Sequence, residues 1–473
     1  MANVHYNRNL LLFAAIVALQ YLAAPVIYVG ITQASLLNQL GANPIIANLP
    51  GASFFVMASM VACIAWLFPG VRHLKPILTT CYALCAVTCG LTSMVLISDT
   101  SDETKVIMVI LQSGITGATI PTAIAFIWEI LGRTTDESKR GLALGFAYGL
   151  GPVLAALGSL ASQLILAGHF ELGPLKWTVE TYEAPFNFGL LFALETPAML
   201  LASVLASRFQ IPVPKQDVVR KPVSEVADLA TGIAASVAAM GCTLGGQMSL
   251  SVLFMLAATL LYAWHFRDLL SVRLLRMVTI MTFVFYIGNV IPSNMNLYSK
   301  EVLGVDPQEY AGYQNLMRFS FKAVAGLFLG WLLVQTNPRT GVLITASLYV
   351  LALTWALFAS GTYYLFAFGI FGAGELVGVY APNYMLSACR ESEMKRGQVL
   401  MNLLMGPVGQ FGIIFGWIAA TIQKKDISLL GQDSQAFGFQ VSFFICALIL
   451  VSGILYTLKY LPREPHQARE HPG

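Results

Sequence analysis

The chain has 473 residues, 57% of them hydrophobic and only 11% charged, with a net charge of +3. A soluble globule of that length needs a charged exterior, so lipid must solvate most of this chain. So small and dispersed a positive charge argues against nucleic acid as a partner. No Walker, Gly-x-Ser-x-Gly or His-Glu-x-x-His sequence points to an ATP-driven pump or an intramembrane enzyme.

At about 20 residues per crossing, the first half is expected to span near 9–31, 45–67, 77–97, 105–130, 142–167 and 186–207. The first apolar run, Leu10–Ile31, is too long for the core of a cleavable signal and carries Tyr21, Pro25 and Tyr28, so it reads as a retained span. On the third span Cys81, Cys85 and Cys89 share a face; with no His or carboxylate beside them they read as small packing residues rather than a metal site. Glu129 and Arg133, four residues apart at the end of the fourth span, suit either a local ion pair or an inner-gate contact. Glu195 is the one mid-span carboxylate of this half and is read as structural or lipid-interfacial.

Residues 209–223 form a proline-rich, charged linker, followed by helical stretches near 224–241 and 246–265. The second half is expected to span near 272–297, 310–334, 341–359, 362–388, 397–421 and 438–460, giving twelve core crossings. Basic residues such as Arg8, Arg72, Lys139, Arg208, Arg276 and Arg396 gather on one side of these spans, which predicts cytoplasmic termini. An inserted pair, crossing as a hairpin or lying along the bilayer, preserves that asymmetry, whereas a single crossing would invert it.

Charge within the bilayer is costly and marks function. Arg318 and Lys322 lie one turn apart on the eighth span, with Asn315 a turn earlier, and Glu375 lies at similar depth on the tenth. The expectation is that Glu375 partners one of the two cations, leaving about one positive charge for an anionic or carboxylate-bearing solute. A static ion pair is the competing reading. Asn289, Asn294 and Asn296 flank Pro292 on the seventh span, where a kink and a polar lining coincide. Asn402 and Gln410 on the eleventh are further polar candidates.

The two sets of spans echo each other 255 to 263 residues apart. LGANP (Leu40–Pro44) recurs as LGVDP (Leu303–Pro307), and GITGA from Gly114 recurs as GIFGA from Gly369. Lys139-Arg140-Gly141 recurs as Lys395-Arg396-Gly397, and each copy is followed by Gly-Pro, at Gly151-Pro152 and Gly406-Pro407. The predicted fold is an all-α integral membrane protein: a six-helix bundle over 1–208, a linker with an inserted helix pair over 209–270, a second six-helix bundle over 271–462 and a tail over 463–473.

This organisation resembles the major facilitator superfamily. LFPGVRHLKP (Leu67–Pro76) stands where that family carries a Gly-x-x-x-Asp-Arg-x-Gly-Arg-type loop, keeping Gly70, Arg72 and Lys75 but not the Asp. Gly151-Pro152, followed by Ala155-Ala156, stands where its antiporters carry Gly-Pro-x-x-Gly-Gly. The resemblance implies rocker-switch secondary transport around a cavity lined by the first, fourth, seventh and tenth spans, which nominates Gln20, Tyr21, Gln112 and Asn383 as well. The loops holding Arg140 and Arg396 read as solvated turns or as contacts that close the inner side. The expected partners are a small solute, protons and the lipid of a plasma (inner) membrane, for a monomer with neither cofactor nor enzymatic activity. A non-transporting sensor or assembly scaffold is the alternative.

Overall fold

A computed structural model describes residues 2–28, 30–134, 143, 146–214, 222–390, 393–428 and 433–465. Among these, 11 helices are long and apolar enough to cross a membrane. They include the second, third, fourth and sixth spans (Pro44–Leu67, Val71–Ile97, Asp102–Thr134 and Phe186–Ala206) and the inserted pair, Ala227–Leu244 and Met248–His265. The seventh, ninth, tenth, eleventh and twelfth spans follow as Arg273–Leu303, Pro338–Phe358, Gly361–Ala388, Arg396–Lys424 and Ser434–Tyr460. The eighth, Ala311–Gln335, is as long but less apolar, since it carries Gln314, Asn315, Arg318 and Lys322. The first is built from Ala2–Leu22, whose apolar part is Arg8–Leu22, with Ala24–Ile27 and Ile31–Gln39, and the fifth from a π turn at Phe146–Leu150 leading into Gly151–Ala167. The all-α expectation needs one addition: the loop before the sixth span folds as an antiparallel hairpin of His169–Leu172 on Leu175–Thr178.

The first, seventh and tenth spans break in mid-course, and in the first and seventh the sequence supplies a reason. In the first, Pro25 lacks a donor and Gly30 takes a φ of +133°, a conformation that side-chain-bearing residues rarely adopt. The carbonyls freed there are capped by Thr32 Oγ1 on Pro25 O (2.6 Å) and Gln33 Nε2 on Val26 O (2.5 Å). In the seventh, a 3₁₀ turn at Ile287–Val290 precedes Pro292. In the tenth, Leu365–Gly374 ends at Glu375 and a new helix starts at Val377.

The repeated pentapeptide has a packing cause. A Cβ on Gly114 would fall 2.6 Å from Ser53 Oγ and one on Gly117 would overlap the backbone of Phe54, so the fourth span lies directly on the second. In the second half, a Cβ on Gly369 would press on the Phe321 ring and one on Gly372 would overlap the Arg318 backbone, placing the tenth span equally close to the eighth. Both copies therefore let two helices of one half approach to backbone contact.

The halves are clasped at the end remote from the termini. Asn48 Nδ2 donates to Asn294 Oδ1 at 2.7 Å, Ser35 Oγ to Asn296 Oδ1 at 3.0 Å, and Asn315 Nδ2 to Thr32 Oγ1 at 3.4 Å. Gln163 Nε2 donates to the Glu309 carbonyl at 2.7 Å while its Oε1 accepts from Tyr313 N at 3.1 Å. The inserted pair leans on both halves at once: Met240 packs with Leu49, Val56, Ile110 and Ile413, and Gln410 Nε2 reaches the Ser236 carbonyl at 3.2 Å.

Asn48→Ala would strand the buried Asn294 oxygen, for an expected loss of ~1–3 kcal/mol. A double-mutant cycle of Asn48 with Asn294, read by thermal unfolding in detergent, should show strong non-additivity; additive losses would mean that the two amides act independently.

Candidate solute-binding site

The first, seventh and tenth spans meet the second, eighth and eleventh around a cavity of about 250 Å³ between the halves. The first half contributes Tyr21, Tyr28, Phe54 and Phe55; the second contributes Asn289, Arg318, Phe319, Lys322, Glu375, Gly378 and Met405. The breaks explain who faces it. Tyr28, Asn289 and Glu375 all sit at chain positions where regular helix gives way, so backbone polar groups and side chains turn toward a space rather than toward lipid.

Glu375 holds both cations rather than one. Arg318 grips it bidentately, Nη2 to Oε1 at 2.5 Å and Nε to Oε2 at 3.0 Å, and Lys322 Nζ reaches Oε2 at 3.3 Å. The Arg318 and Glu375 side chains are each 9% exposed, whereas Lys322 is 25% exposed. Arg318 Nη1 is buried and donates to no acceptor among the described residues. The cluster thus carries two positive charges against one negative, with an unused guanidinium donor and a partly accessible ammonium. Tyr349 supports it from behind: the phenol donates to Asn289 Oδ1, and the ring fills the space left by Gly288 and Gly374.

The sequence matches the Major Facilitator Superfamily over residues 12–417. The chain belongs to that superfamily. None of the curated proteins searched matches it. Its fold is similar to the crystal structure of a POT family transporter in complex with 5-aminolevulinic acid, at a TM-score of 0.64 and 15% identity, covering 96% of this chain and 97% of that one. It is also similar to a D-xylose–proton symporter (TM-score 0.63, 14% identity, 98% and 99% covered) and to the nucleoside transporter NupG (0.59, 9%, 96% and 99%). At these identities the likeness concerns the fold. Membership in the superfamily places the chain among secondary transporters.

Of the residues nominated from sequence, this superfamily member brings Arg318, Lys322, Glu375, Asn289 and Tyr21 to the cavity. Gln20 stands one shell back, donating to Tyr28 Oη at 2.7 Å and accepting from Tyr82 Oη at 2.8 Å. Asn294 belongs to the inter-half clasp, Gln410 to the contact with the inserted helix, and Gln112 to the interior of the first half, where it donates to Thr116 Oγ1 at 2.8 Å. Asn383 lines a separate cavity of about 450 Å³ with Pro338, Tyr380 and Met394. Asn402 is half-buried on the eleventh span and is not among the residues lining the charged cavity.

Glu129 and Arg133 form a surface i, i+4 pair at 2.7 Å. Arg396 forks onto Asp268 of the connecting segment at 2.5 and 2.7 Å, which pulls the Asp268 carboxyl down to about 2 and keeps the pair charged through the neutral range. Arg140 lies outside the described residues. Sequence reasoning missed Tyr28, Phe54, Phe55, Phe319 and Met405; for Tyr28 the flanking Pro25 and Gly30 were the available signal.

Gly372→Ala should push the tenth span off the Arg318 backbone at a cost of ~1–3 kcal/mol, and should lower transport more than it lowers stability because the displaced atom set carries the guanidinium. Unchanged uptake alongside a lowered unfolding temperature would contradict that link.

Proposed function

We propose that the protein is a proton-coupled secondary transporter of a small anionic, carboxylate-bearing solute, working by rocker-switch alternating access. The observation that supports it most is the surplus cation: Arg318 and Lys322 line one cavity with a single carboxylate between them, and Arg318 Nη1 meets no acceptor among the described residues. A carboxylate on the solute suits that donor pair, since an arginine fork binds planar oxyanions bidentately. The aromatic wall of Tyr21, Tyr28, Phe54 and Phe55 gives the rest of the solute an apolar surface contributed by the opposite half. An arriving anion sets like charges side by side with Glu375, and a proton on that carboxylate relieves the repulsion, which couples solute and proton in one direction.

With the termini cytoplasmic, as the basic residues predict, the clasp of Asn48, Asn294, Ser35 and Asn296 closes the outer side. The solute then leaves toward the cytoplasm in this conformation. The reading carries over to a single polypeptide acting as a monomer in a plasma (inner) membrane.

Counterflow in proteoliposomes with a panel of radiolabelled mono- and dicarboxylates tests the assignment. Exchange of at least one, with proton-driven accumulation lost in Glu375→Gln, is expected. Absence of flux of every solute from folded protein would favour a sensor or scaffold instead.

A further inference from the structure

We propose that Glu195, far from the charged cavity in sequence and on a different half, is a second proton-binding site of the transport cycle. The proposal rests on the secondary-transport reading but not on the identity of the solute. Glu195 lies in the middle of the sixth span, 9% exposed, packed toward the third span rather than turned out to lipid. Among the described residues no hydrogen bond and no ion pair reaches its carboxyl. The neighbouring Leu194 on the same helix is 58% exposed, so the helix shows an apolar residue outward and the acid inward.

The titratable groups facing it come from the third span: the Cys89 thiol, within electrostatic reach, and Cys85 one turn away on the same face. The fifth span, Gly151–Ala167, packs on the sixth and carries no titratable residue. The first span also packs on it and brings Tyr21, which faces the central cavity, and Arg8, which is tied to the Arg208 carbonyl at the helix end. Among the described residues no cation pairs with the carboxylate. In a low-dielectric interior such a group is charged only at high cost, and exchange of a proton with water is the way it changes state without a partner. The carboxylate oxygen takes a proton from water and later returns it, with no other bond made or broken.

Buried polar side chains of the first and third spans lie between this carboxyl and the cavity. Tyr28 lines the cavity and accepts from Gln20; Gln20 accepts from Tyr82 on the third span. Tyr82, Cys85 and Cys89 succeed one another along one buried face of that span, and Cys89 receives Gln112 Nε2 at 3.8 Å beside Glu195. Gln20, Tyr82, Cys85, Cys89 and Gln112 are each at most 4% exposed. Protonation of Glu195 would therefore be felt at the third span and, through Gln20, at the ring of Tyr28 beside Arg318. Gln20 acts here as a positioning residue: it fixes the donor order between two phenols.

The test is infrared difference spectroscopy on the full-length protein in proteoliposomes stepped between acid and alkaline buffer with no solute added. The carboxylic-acid C=O stretch of a buried, titrating side chain should persist in Glu375→Gln and vanish in Glu195→Gln. Glu195→Asp keeps the carboxyl and Cys89→Ser changes its neighbour, so each should shift the band; these two variants cover the case in which Glu195→Gln fails to fold. A band unaltered in Glu195→Gln, or unshifted in both of the others, would overturn the proposal. Should counterflow fail for every solute while the band still follows Glu195, the transport reading falls and the proton site stands.

Discussion

Glu375→Ala is expected to be the most damaging single change in the cavity. It removes the one carboxylate that neutralises Arg318 and Lys322, both held within 3.3 Å of it. Arginine cannot shed its proton in a protein, so the guanidinium, 9% exposed in its side chain, would be left charged and unpaired. Breaking a buried pair in this way costs ~3–5 kcal/mol, a large part of the margin that keeps most domains folded. Thermal unfolding in detergent should show a fall of that size, and a high concentration of a small carboxylate such as acetate should restore part of it by occupying the vacated position. A variant as stable as the parent would mean that the two cations are satisfied elsewhere.

Lys322→Gln is expected to behave oppositely, sparing the fold and weakening the solute. Arg318 still grips Glu375 bidentately without it, and the ammonium is the more exposed of the two cations. Loss of one charge-assisted contact to a solute carboxylate is worth ~1.5–3 kcal/mol, or roughly 10- to 150-fold in affinity. The half-saturating concentration in counterflow should rise by that factor with little change in unfolding temperature. Equal losses in both would make Lys322 a structural member of an ion triad and no part of the binding surface.

The contrast between the two variants follows from geometry that the sequence only half revealed. Three ionisable groups at similar depth on two apolar helices are legible in one dimension, because lipid tolerates such charges only if they meet. Their arrangement was not: the expectation of one partner for Glu375 gave way to two, since a carboxylate has two oxygens and the eighth span presents Arg318 and Lys322 one turn apart on the same face. The repeat was legible for the same kind of reason. Gly114, Gly117, Gly369 and Gly372 each sit where a Cβ has no room, so the pentapeptide survives in both halves as a packing requirement.

Neutral amides were the least legible. An asparagine or glutamine in a membrane helix needs partners, and a neighbouring helix serves as well as a solute. Asn289 and Asn294, five residues apart, went to the cavity and to the clasp respectively; five residues already turn a regular helix by about 140°, and Asn289 sits within the 3₁₀ turn that precedes Pro292. Gln410 went to the inserted helix, a neighbour with no counterpart in the repeat and so without a template in the other half. The hairpin at His169–Thr178 was hidden by its length, four residues a strand within a loop.

The account stands on the charged cavity being a solute path between the halves, and accessibility of position 322 tests that most directly. In protein whose seven cysteines are replaced by alanine, Lys322→Cys leaves the Arg318–Glu375 pair intact. The account predicts that a charged, membrane-impermeant thiosulfonate modifies this cysteine, and that carboxylate solutes which exchange in counterflow slow the modification. Reaction only with a lipid-soluble maleimide, unaffected by any solute, would place the side chain against acyl chains and contradict it.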